Sequence, residues 1–429
     1  MMLFGNVDSA SLDDPEYFEI LGGLWTGKKP PFTKAGVIRN TNFTASGKVD
    51  YSDVAWLDVE VKQLAKRQLR HGDIIIERSG GGPKQPVGRV VQFRRSDGVF
   101  SFSNFTTTIR VKKPDELDPL FAFYVLLELY QSGRTDDIQR RTTGLRNLDF
   151  KAYKERAIFP LISSAEQRRI ARVLATVQTA IEQQARLIAL TRELKSALMR
   201  KLFTEGLRGE KQKETEIGLV PESWNVVKIG SLGKCVTGTT PKTAVKEYYL
   251  PAEYDFIAPA DLGHTRDIYG SGKKISGKGL SAIRSLPKNA VLCVCIGSSI
   301  GKVGMTWKEQ SATNQQINAI ICNKKHNPKF VYYLLDYFSD YWRGFATFGP
   351  VPILNKSRFE GIDVPAPSTL DEQNEIAELL AGLDSKYEFH DKKKTLLEEL
   401  FRTLLHHLMT GQVRVNGPEF NFIAEGEIP

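Results

Sequence analysis

The sequence predicts an α+β protein: two pseudo-twofold-related globular α/β domains joined by two long helices that form an antiparallel coiled coil. The first observation is an internal repeat, because Glu166–Thr204 and Glu372–Thr410 align without a gap after a shift of 206 positions. Such a repeat sets the architecture. The second is a row of residues in each segment whose members are separated alternately by four and by three positions. This spacing is the period of a coiled coil. The third is that the two segments carry opposite net charge.

The composition is that of a globular protein with more than one core. Of 429 residues, 41% are hydrophobic and 25% are charged, and this length favours two or three domains. No apolar run approaches the roughly 18 residues of a membrane span, and the first ten residues lack the pattern of a signal peptide. None of the four cysteines forms a CxxC pair. We therefore expect reduced thiols, a cytoplasmic location and no membrane association.

Charge is unevenly distributed along the chain. Basic residues outnumber acidic ones in residues 1–163, 164–215 and 216–367, whereas residues 368–429 hold six basic and twelve acidic residues. A basic excess suits a polyanionic partner such as a nucleic acid. The acidic last segment is better suited to a protein partner.

Corresponding short motifs occur in the same order in the first and second halves of the sequence. Thr26–Pro30 corresponds to Thr237–Pro241, and Ser103–Asn104 corresponds to Thr313–Asn314. Residues 134–147 are polar and basic and are predicted to form an exposed loop. The predicted boundaries are a first domain at 1–163, a first helix at 164–206, a linker at 207–216, a second domain at 217–367, a second helix at 368–411 and a tail at 412–429.

The two helices are predicted to pack on each other along one seam. Residues 164–206 have eight basic and four acidic residues, and residues 371–410 have five and nine, so unlike helices should attract. Polar residues interrupt both seams at the centre, which suits an antiparallel pair about 60 Å long. The alternative is that each helix packs only on its own domain. The apolar seam residues are Ile170, Leu174, Val177, Ile181, Leu198 and Leu202 in the first helix, and Ile376, Leu380, Leu383, Tyr387, Leu397, Phe401, Leu404 and Leu408 in the second.

Two related basic domains at a fixed separation suit the reading of two short DNA segments across an unread spacer. Dimeric DNA readers place half-sites about one helical turn apart for the same geometric reason. Because the two domains differ in sequence, the site is expected to be asymmetric.

The sequence resembles the specificity subunits of type I restriction–modification systems. The residues that carry the resemblance are Ile217–Trp224, Thr237–Pro241, Gly297–Lys302, Thr313–Ile317, Asp363–Pro367 and the repeated helix from Glu372 onward. The first half departs from the pattern, because Pro15–Phe18 lacks the tryptophan and Arg78–Pro86 is longer and richer in Gly and Pro than its counterpart.

The resemblance implies two target-recognition domains that alternate with two helices of a coiled coil. It implies that the subunit binds double-stranded DNA, two copies of an adenine-N6 methyltransferase subunit and two motor–nuclease subunits. It implies no catalysis and no cofactor in this chain, with S-adenosylmethionine expected in the partner methyltransferase subunit.

A glycine turn in the second domain is a candidate phosphate contact. Gly297–Lys302 looks like a phosphate-binding loop, but Val303 stands where Ser or Thr would bind magnesium, which argues against a nucleotide site. A turn that touches a DNA phosphate and a purely structural turn both remain open. The candidate side chains are Ser298, Ser299 and Lys302 here, and Arg78, Lys84 and Arg89 in the counterpart of the first domain.

Amide side chains suggest base contacts, since Asn and Gln can pair with adenine in the major groove. Asn314, Gln315 and Gln316 follow one another, and Asn104 is the weaker counterpart. The alternative is that these side chains satisfy their own backbone.

Basic and hydroxyl-bearing loops complete the candidate interface, through phosphate or guanine contacts. A solvated loop or a structural turn is the alternative for each of them. In the first domain the candidates are Lys28, Lys29, Arg140, Arg141, Thr143, Arg146 and Asn147. In the second domain they are Thr237, Thr239, Thr240, Lys242, Lys273, Lys274, Lys278, Asn355 and Lys356.

Catalytic and metal signatures are weak. His390, His406 and His407 have no third ligand nearby in the sequence. Asn327–Phe330 comes near a methyltransferase signature but lacks its second proline, and Glu60–Lys62 lacks the partner of a nuclease motif. A stand-alone bipartite DNA-binding regulator is the alternative function, and a nuclease with an unrecognised site is a third.

Overall fold

The computed structural model describes residues 4, 7–24, 29–82, 85–142, 145–347 and 349–417, and for residues 141, 142 and 145 it describes the backbone alone. The chain divides into two compact units, residues 1–184 with 393–429 and residues 185–392. Each long helix therefore contributes one half to each unit.

The first unit is a mixed α/β domain on which parts of both long helices pack. Its strands are β1 (Ser9–Ser11), β2 (Phe18–Gly22), β3 (Phe32–Ile38), β4 (Ala55–Glu60), β5 (Ile74–Glu77), β6 (Ser79–Gly81), β7 (Val90–Gln92), β8 (Phe100–Phe102), β9 (Thr106–Val111), β10 (Gln139–Thr142), β11 (Leu145–Leu148) and β12 (Ile158–Pro160). Its helices are α1 (Val61–Arg67), α2 (Pro119–Gln131), α3 (Phe150–Arg156), the first part of α4 (Ser164–Glu205) and the last part of the second long helix, Leu370–Thr410.

The second unit is also a mixed α/β domain. Its strands are β13 (Gln212–Thr215), β14 (Gly218–Pro221), β15 (Asn225–Lys228), β16 (Gly233–Thr237), β17 (Tyr254–Ile257), β18 (Asp267–Ile268), β19 (Lys274–Ile275), β20 (Val291–Val294), β21 (Val303–Thr306), β22 (Ser311–Thr313), β23 (Ile317–Cys322) and β24 (Asp363–Ala366). Its helices are the last part of α4, α5 (Gly277–Ser281), α6 (Pro328–Tyr337), α7 (Ser339–Arg343), α8 (Lys356–Glu360) and the first part of α9 (Leu370–Thr410). Short 3-10 helices lie at Asn40–Asn42, Asp136–Ile138, Ile229–Ser231, Lys246–Tyr248 and Pro259–Asp261.

Both units share one strand order. The antiparallel sheet β2-β9-β5-β7 of the first unit corresponds to β16-β23-β20-β21 of the second, where β18 adds a fifth, parallel strand. A second sheet, β4-β3-β8, corresponds to β19-β17-β22, and in each the last pair is parallel while the first is antiparallel. The repeat seen in the long helices therefore extends through both globular domains.

A short aromatic-rich helix packs on the main sheet in each unit. In α2, Asp118 accepts from the N–H groups of Leu120 and Phe121, and proline occupies the first helical position. Asn327 plays the same part for α6. An oxygen side chain at the cap followed by proline is a favourable helix start. Both helices are buried along most of their length because a sheet lies on one side and a long helix on the other.

The long helices pack along the predicted seam, and each predicted apolar seam residue is buried or half-buried. In the second unit, Lys195 contacts Asp384 and Arg192 contacts Tyr387, so residue numbers rise on α4 as they fall on α9. In the first unit, Ile170 and Leu174 share a core with the last turns of α9. The helix pair is therefore an antiparallel coiled coil.

Several local predictions were wrong. Residues 134–147 are not a loop: they contain the hairpin β10–β11, because β6 offers a strand edge that local sequence does not reveal. The glycine-rich lysine segment 270–278 contains β19 and the start of α5. Residues 212–215, within the predicted linker 207–216, form β13, while the domain boundaries stay a prediction.

Candidate nucleic-acid interface

In the first domain, a small sheet joins two segments that the sequence singled out separately. β11 pairs with β10 on one side and with β6 on the other, so Asn147 lies opposite both Arg140 and Ser79. The Ser79 hydroxyl donates to Asn147 Oδ1 at 2.5 Å, and Arg146 Nη1 donates to Gln139 Oε1 at 3.4 Å. The segments around Arg78 and Arg140 therefore form one surface.

The Asn104 turn adjoins that surface. The carbonyl of Phe105 accepts from the backbone N–H groups of Arg78, at 2.9 Å, and of Ser79, at 3.3 Å. Asn104 and Phe105 are both exposed. Leu24, which leads into the Lys28–Lys29 segment, donates its N–H to the carbonyl of Phe102 at 2.9 Å. The side chain of Arg141 lies outside the described residues, as do Lys28, Lys84 and Thr143.

Two arginines of this surface are held by aromatic and acidic neighbours. The Arg78 guanidinium lies 4.4 Å from the centre of the Phe150 ring, and desolvation there lowers the pKa of Arg78. Arg140 forms an ion pair with Asp149, yet three quarters of its side chain stays exposed. Lys29 is exposed, while its backbone N–H donates to Glu60 Oε1 at 2.6 Å.

Arg89 is placed differently from the other candidates. Its guanidinium contacts the buried carboxylate of Glu77 at 2.8 and 2.9 Å and donates to the carbonyl of Asn40 at 3.0 Å. The Glu77 side chain is 1% exposed. Because a buried carboxylate needs this partner, the observed role of Arg89 is to hold the Asn40 turn against β5.

In the second domain, the Thr237–Pro241 loop packs on the amide-rich turn. The N–H of Thr239 donates to the carbonyl of Thr313 at 2.9 Å, and the Thr240 hydroxyl donates to Gln315 Oε1 at 2.7 Å. A Cβ at Gly238 would lie 2.1 Å from the carbonyl oxygen of Asn314. Glycine is therefore required for this approach. Thr237 donates its hydroxyl to Asn318 Oδ1 at 2.7 Å, and Lys242 is exposed.

The glycine turn at 297–302 joins the same surface. The N–H of Cys295 donates to the carbonyl of Gln316 at 2.8 Å, and that of Gly297 donates to the carbonyl of Pro352 at 2.9 Å. Ser298 is exposed, whereas Ser299 and Lys302 are half-buried. The stretch after Pro352 ends at Asn355, which caps α8 through a 2.9 Å bond from the N–H of Arg358, and Lys356 lies 3.6 Å from Glu360.

The three amide side chains differ in their surroundings. Asn314 and Gln316 bond to each other, with Asn314 Nδ2 donating to Gln316 Oε1 at 3.0 Å and Gln316 N–H donating to Asn314 Oδ1 at 3.0 Å. Gln316 Nε2 also donates to the carbonyl of Ile296 at 3.3 Å. Gln315 is the exposed member of the three. Two of these amides thus shape the turn, and Gln315 is the one presented to solvent.

The lysine-containing segment 270–278 is linked by hydrogen bonds to the turn at Asn314–Gln316 through Ala258–Asp261. The N–H of Asn314 donates to the carbonyl of Ile257 at 3.3 Å, and that of Gly272 donates to Asp261 Oδ1 at 3.0 Å. Lys273, Lys274 and Lys278 are exposed, and Lys278 forms an ion pair with Glu247 at 2.7 Å.

Sequence reasoning missed three exposed side chains of these surfaces. Arg284 donates to the carbonyl of Thr237 at 2.8 Å, and Arg343 lies beside Gly301 while pairing with Asp340 at 3.0 Å. Neither stands in a motif, so no local signal points to them. Phe105 could have been found, because the repeat that aligns Asn104 with Asn314 places Phe105 on Gln315.

Reactive groups are scarce around these surfaces. Burial raises the pKa of the Cys235, Cys295 and Cys322 thiols to about 12, which leaves them protonated and poor nucleophiles at neutral pH. In the part of the chain that the structure describes, no group of three acidic, histidine or cysteine side chains could hold a metal ion. Over the same residues, no helix is long and apolar enough to cross a bilayer.

Comparison with known proteins shows what this chain is similar to. Residues 221–399 match the family model described as type I restriction modification DNA specificity domain. The chain is 25% identical to a putative type I restriction enzyme MjaX specificity subunit of Methanocaldococcus jannaschii, over 86% of this chain and 85% of that protein. It is 27% identical to the MjaVIII specificity subunit of the same organism, over 73% and 75% of the two chains.

A solved structure agrees with the fold. The S subunit of a type I restriction–modification system from M. genitalium matches with a TM-score of 0.60 and 19% identity, over 95% of this chain and 98% of that one. The two chains therefore share one fold. Over most of its length, the chain is thus similar to the specificity subunits of type I restriction–modification systems, and its second domain carries the match to their DNA specificity domain.

Proposed function

We propose that this chain gives a type I restriction–modification complex its DNA specificity by reading an asymmetric, bipartite site. The observation that carries the proposal is that both domains repeat one strand order while presenting different side chains at corresponding turns. Phe105 of the first domain aligns with Gln315 of the second, and both are exposed. One scaffold with two different reading surfaces suits two different half-sites.

Each surface combines groups that suit phosphates with groups that suit bases. Arg140, Lys273 and Lys274 are exposed cations on strands or turns, as phosphate contacts require. Asn104 and Gln315 are exposed amides, whose side chains can pair with adenine. Arg89, Asn314 and Gln316 would act indirectly, because their hydrogen bonds shape the turns that carry the contact residues.

The helix pair would set the length of the unread spacer. α4 has 42 residues and α9 has 41, which corresponds to about 60 Å of helix. Such a length suits half-site centres about one DNA turn apart (~10 bp). The spacer would therefore be determined by the protein and not by the DNA sequence within it.

The outer faces of the helices offer two equal docking sites for methyltransferase subunits. Leu190 and Leu194 of α4 are 50% and 57% exposed, and their repeat equivalents Leu396 and Leu400 of α9 are 56% and 45% exposed. Contiguous exposed apolar patches are typical of interaction sites. Two identical pairs suit two copies of one adenine-N6 methyltransferase subunit, which would bind S-adenosylmethionine, and the assembly would also take up two motor–nuclease subunits.

No catalytic step is assigned to this chain. Three of the four cysteines are buried, and the pKa of the half-buried Cys322 is also raised, so the thiols stay protonated at neutral pH. Methyl transfer and cleavage would be carried out by the partner subunits.

The test is to express the chain with and without its neighbouring methyltransferase gene and to map N6-methyladenine across the genome. We expect a split, asymmetric motif that is methylated only when both genes are present. Methylation or cleavage by this chain alone would contradict the proposal. Tight binding to a split site with no effect on methylation would support a stand-alone regulator instead.

A further inference from the structure

A buried carboxylate of α9 ties the second target-recognition domain to both long helices. Asp384 Oδ1 accepts from Lys195 Nζ of α4 at 2.6 Å, and Asp384 Oδ2 accepts from the Tyr333 hydroxyl of α6. Arg266 Nη1 lies 3.7 Å from the same carboxylate. The Asp384 side chain is 13% exposed, so water screens these contacts only weakly.

Arg266 extends the contact into the domain. It donates to the Tyr333 hydroxyl at 2.9 Å and pairs with the buried carboxylate of Asp267 at 2.6 Å. Burial opposes the charge of this guanidinium, but the hydrogen bonds to Asp267 and Tyr333 outweigh it and raise the pKa of Arg266. We name Lys195, Arg266, Asp267, Tyr333 and Asp384 the charged joint.

The first unit has uncharged side chains at the two helix positions equivalent to Asp384 and Lys195. The repeat places Gln178 on Asp384 and Phe401 on Lys195. The Tyr124 hydroxyl donates to Gln178 Oε1 at 3.0 Å, as Tyr333 donates to Asp384, and Gln178 Nε2 donates to the carbonyl of Ser46. The Phe401 ring lies 6.3 Å from the Tyr124 ring, where Lys195 Nζ lies 5.1 Å from the Tyr333 ring. The neutral joint is therefore Ser46, Tyr124, Gln178 and Phe401.

We infer that the charged joint fixes the orientation of the second target-recognition domain on the helix pair and thereby makes the complex strict about spacer length. This inference rests on the proposed function. One base pair changes the half-site separation by about 3.4 Å and the rotation by roughly 35°. To reject a neighbouring spacer length, the domain must be held within a fraction of that angle.

The joint is suited to this task because its contacts are directional. Apolar packing of α6 on Ile376 and Leu380 holds the domain on the helices, but apolar contact is non-directional. Charge-assisted hydrogen bonds to a carboxylate require a defined geometry. A cavity of about 320 Å³ lies beside the joint, lined in part by His264, Asp336 and Tyr387. Close packing is therefore missing on that side, and orientation depends on the polar contacts.

The test uses the purified complex of this chain with its methyltransferase subunits and S-adenosylmethionine. Methylation rates are measured on duplexes with constant half-sites and spacers of the native length or one base pair shorter or longer. For Asp384→Asn and for Lys195→Met we expect the preference for the native spacer to fall at least tenfold, with the half-site bases unchanged. Glu378→Gln removes an exposed carboxylate from the same helix and is expected to keep the wild-type preference.

A rescue variant separates positioning from stability. Lys195→Phe/Asp384→Gln copies the neutral joint and still offers Tyr333 an acceptor, so it is expected to regain most of the spacer preference. Equal slowing on each spacer with an unchanged preference would overturn the inference and leave a stabilising role only. Failure of the wild-type complex to discriminate between spacer lengths would count against the proposed function itself.

Discussion

The side-chain carbonyl of Gln167 accepts a 2.8 Å hydrogen bond from the backbone N–H of Asp118, the residue that caps α2. Gln167 Nε2 donates in turn to the carbonyls of Glu116 and Ile162, each at 2.8 Å. In the second unit, Gln373 accepts from the N–H of Asn327 at 2.9 Å, and Asn327 caps α6. A fully buried amide thus joins the start of each long helix to the start of the aromatic helix in its own domain.

Replacing Gln167 by Ala is expected to destabilise the first unit. The substitution leaves the N–H of Asp118 and two carbonyls buried without this partner, which costs roughly 2–4 kcal/mol. Hydrogen exchange read by mass spectrometry should show faster exchange of the α2 amides and little change in α6. Gln373→Ala should show the reverse, and Gln183→Ala, on the exposed face of α4, should change neither. Equal effects on both units would contradict this separate anchoring.

The second unit is expected to lose stability in mild acid through His326. Burial lowers the pKa of His326 below its ordinary value of 6.5, and its Nδ1 lies 3.4 Å from Gln373 Nε2. Because the folded state binds the proton less well than the unfolded state, this contribution is present above pH 6.5 and is lost as pH falls toward the lowered pKa. The measurement is thermal unfolding of wild type and His326→Gln between about pH 5 and pH 8. The two unfolding temperatures should converge at low pH. A constant difference would exclude His326 as the cause.

Gln315 and Lys274 should differ in what they contribute to DNA binding. Loss of a base contact in Gln315→Ala should cost about 1–3 kcal/mol of discrimination at one position of the second half-site and leave the first half-site unchanged. Lys274→Ala should weaken binding to any sequence and reduce the salt slope by about one. Selection from a randomised site and titrations over a salt series provide the two measurements. If Gln315→Ala changed the preferred bases of the first half-site only, the second domain would be the reader of that half-site.

The exposed leucine pairs should each hold one methyltransferase subunit. Leu190→Glu/Leu194→Glu introduces charge into one apolar pair, so native mass spectrometry is expected to find one methyltransferase subunit per chain in place of two. Leu396→Glu/Leu400→Glu should do the same, and the fourfold variant should bind none. Ala189→Glu adds a charge at an exposed position of α4 that lies about 100° around the helix from Leu190, and it serves as the control. Retention of two subunits by the fourfold variant would exclude these pairs as the docking sites.

Helix length should determine the spacer. Insertion of one heptad into α4 and one into α9, at matching positions, preserves the seam and lengthens the pair by about 10 Å, or roughly three base pairs. Methylation mapping should then find the same half-site bases at a wider separation. Insertion into one helix alone breaks the register and should abolish binding. Altered bases at the original spacing would refute the role of the helix pair as a spacer.

The long helices were predictable because their signals are local. The spacing of Ile170, Leu174 and Val177, and of Ile376, Leu380 and Leu383, identifies a seam, and opposite charge on the two segments identifies the pairing. Periodicity is a property of neighbouring residues, so one sequence is sufficient to detect it. The internal repeat then predicts that the two domains share one plan.

The candidate interface was predictable only in part. Arg89 was predicted as a phosphate contact in the counterpart of the glycine turn, yet it forms an ion pair with Glu77, and nothing in the local sequence indicates that pair. Arg140 and Asn147 belong to a hairpin that exists because β6 offers its edge. Arg284 and Arg343 reach the surface of the second domain from segments without motifs.

By itself, the sequence determined the twofold plan, the antiparallel helix pair and the resemblance to type I specificity subunits, since these depend on repeats, periodicity and motifs along the chain. The tertiary structure decided which polar side chains face solvent and which are used to hold the fold. It also decided that one domain is joined to the helices through Gln178 and the other through Asp384 with Arg266. The physical reason is that burial and hydrogen-bond partners depend on segments brought together from distant parts of the chain.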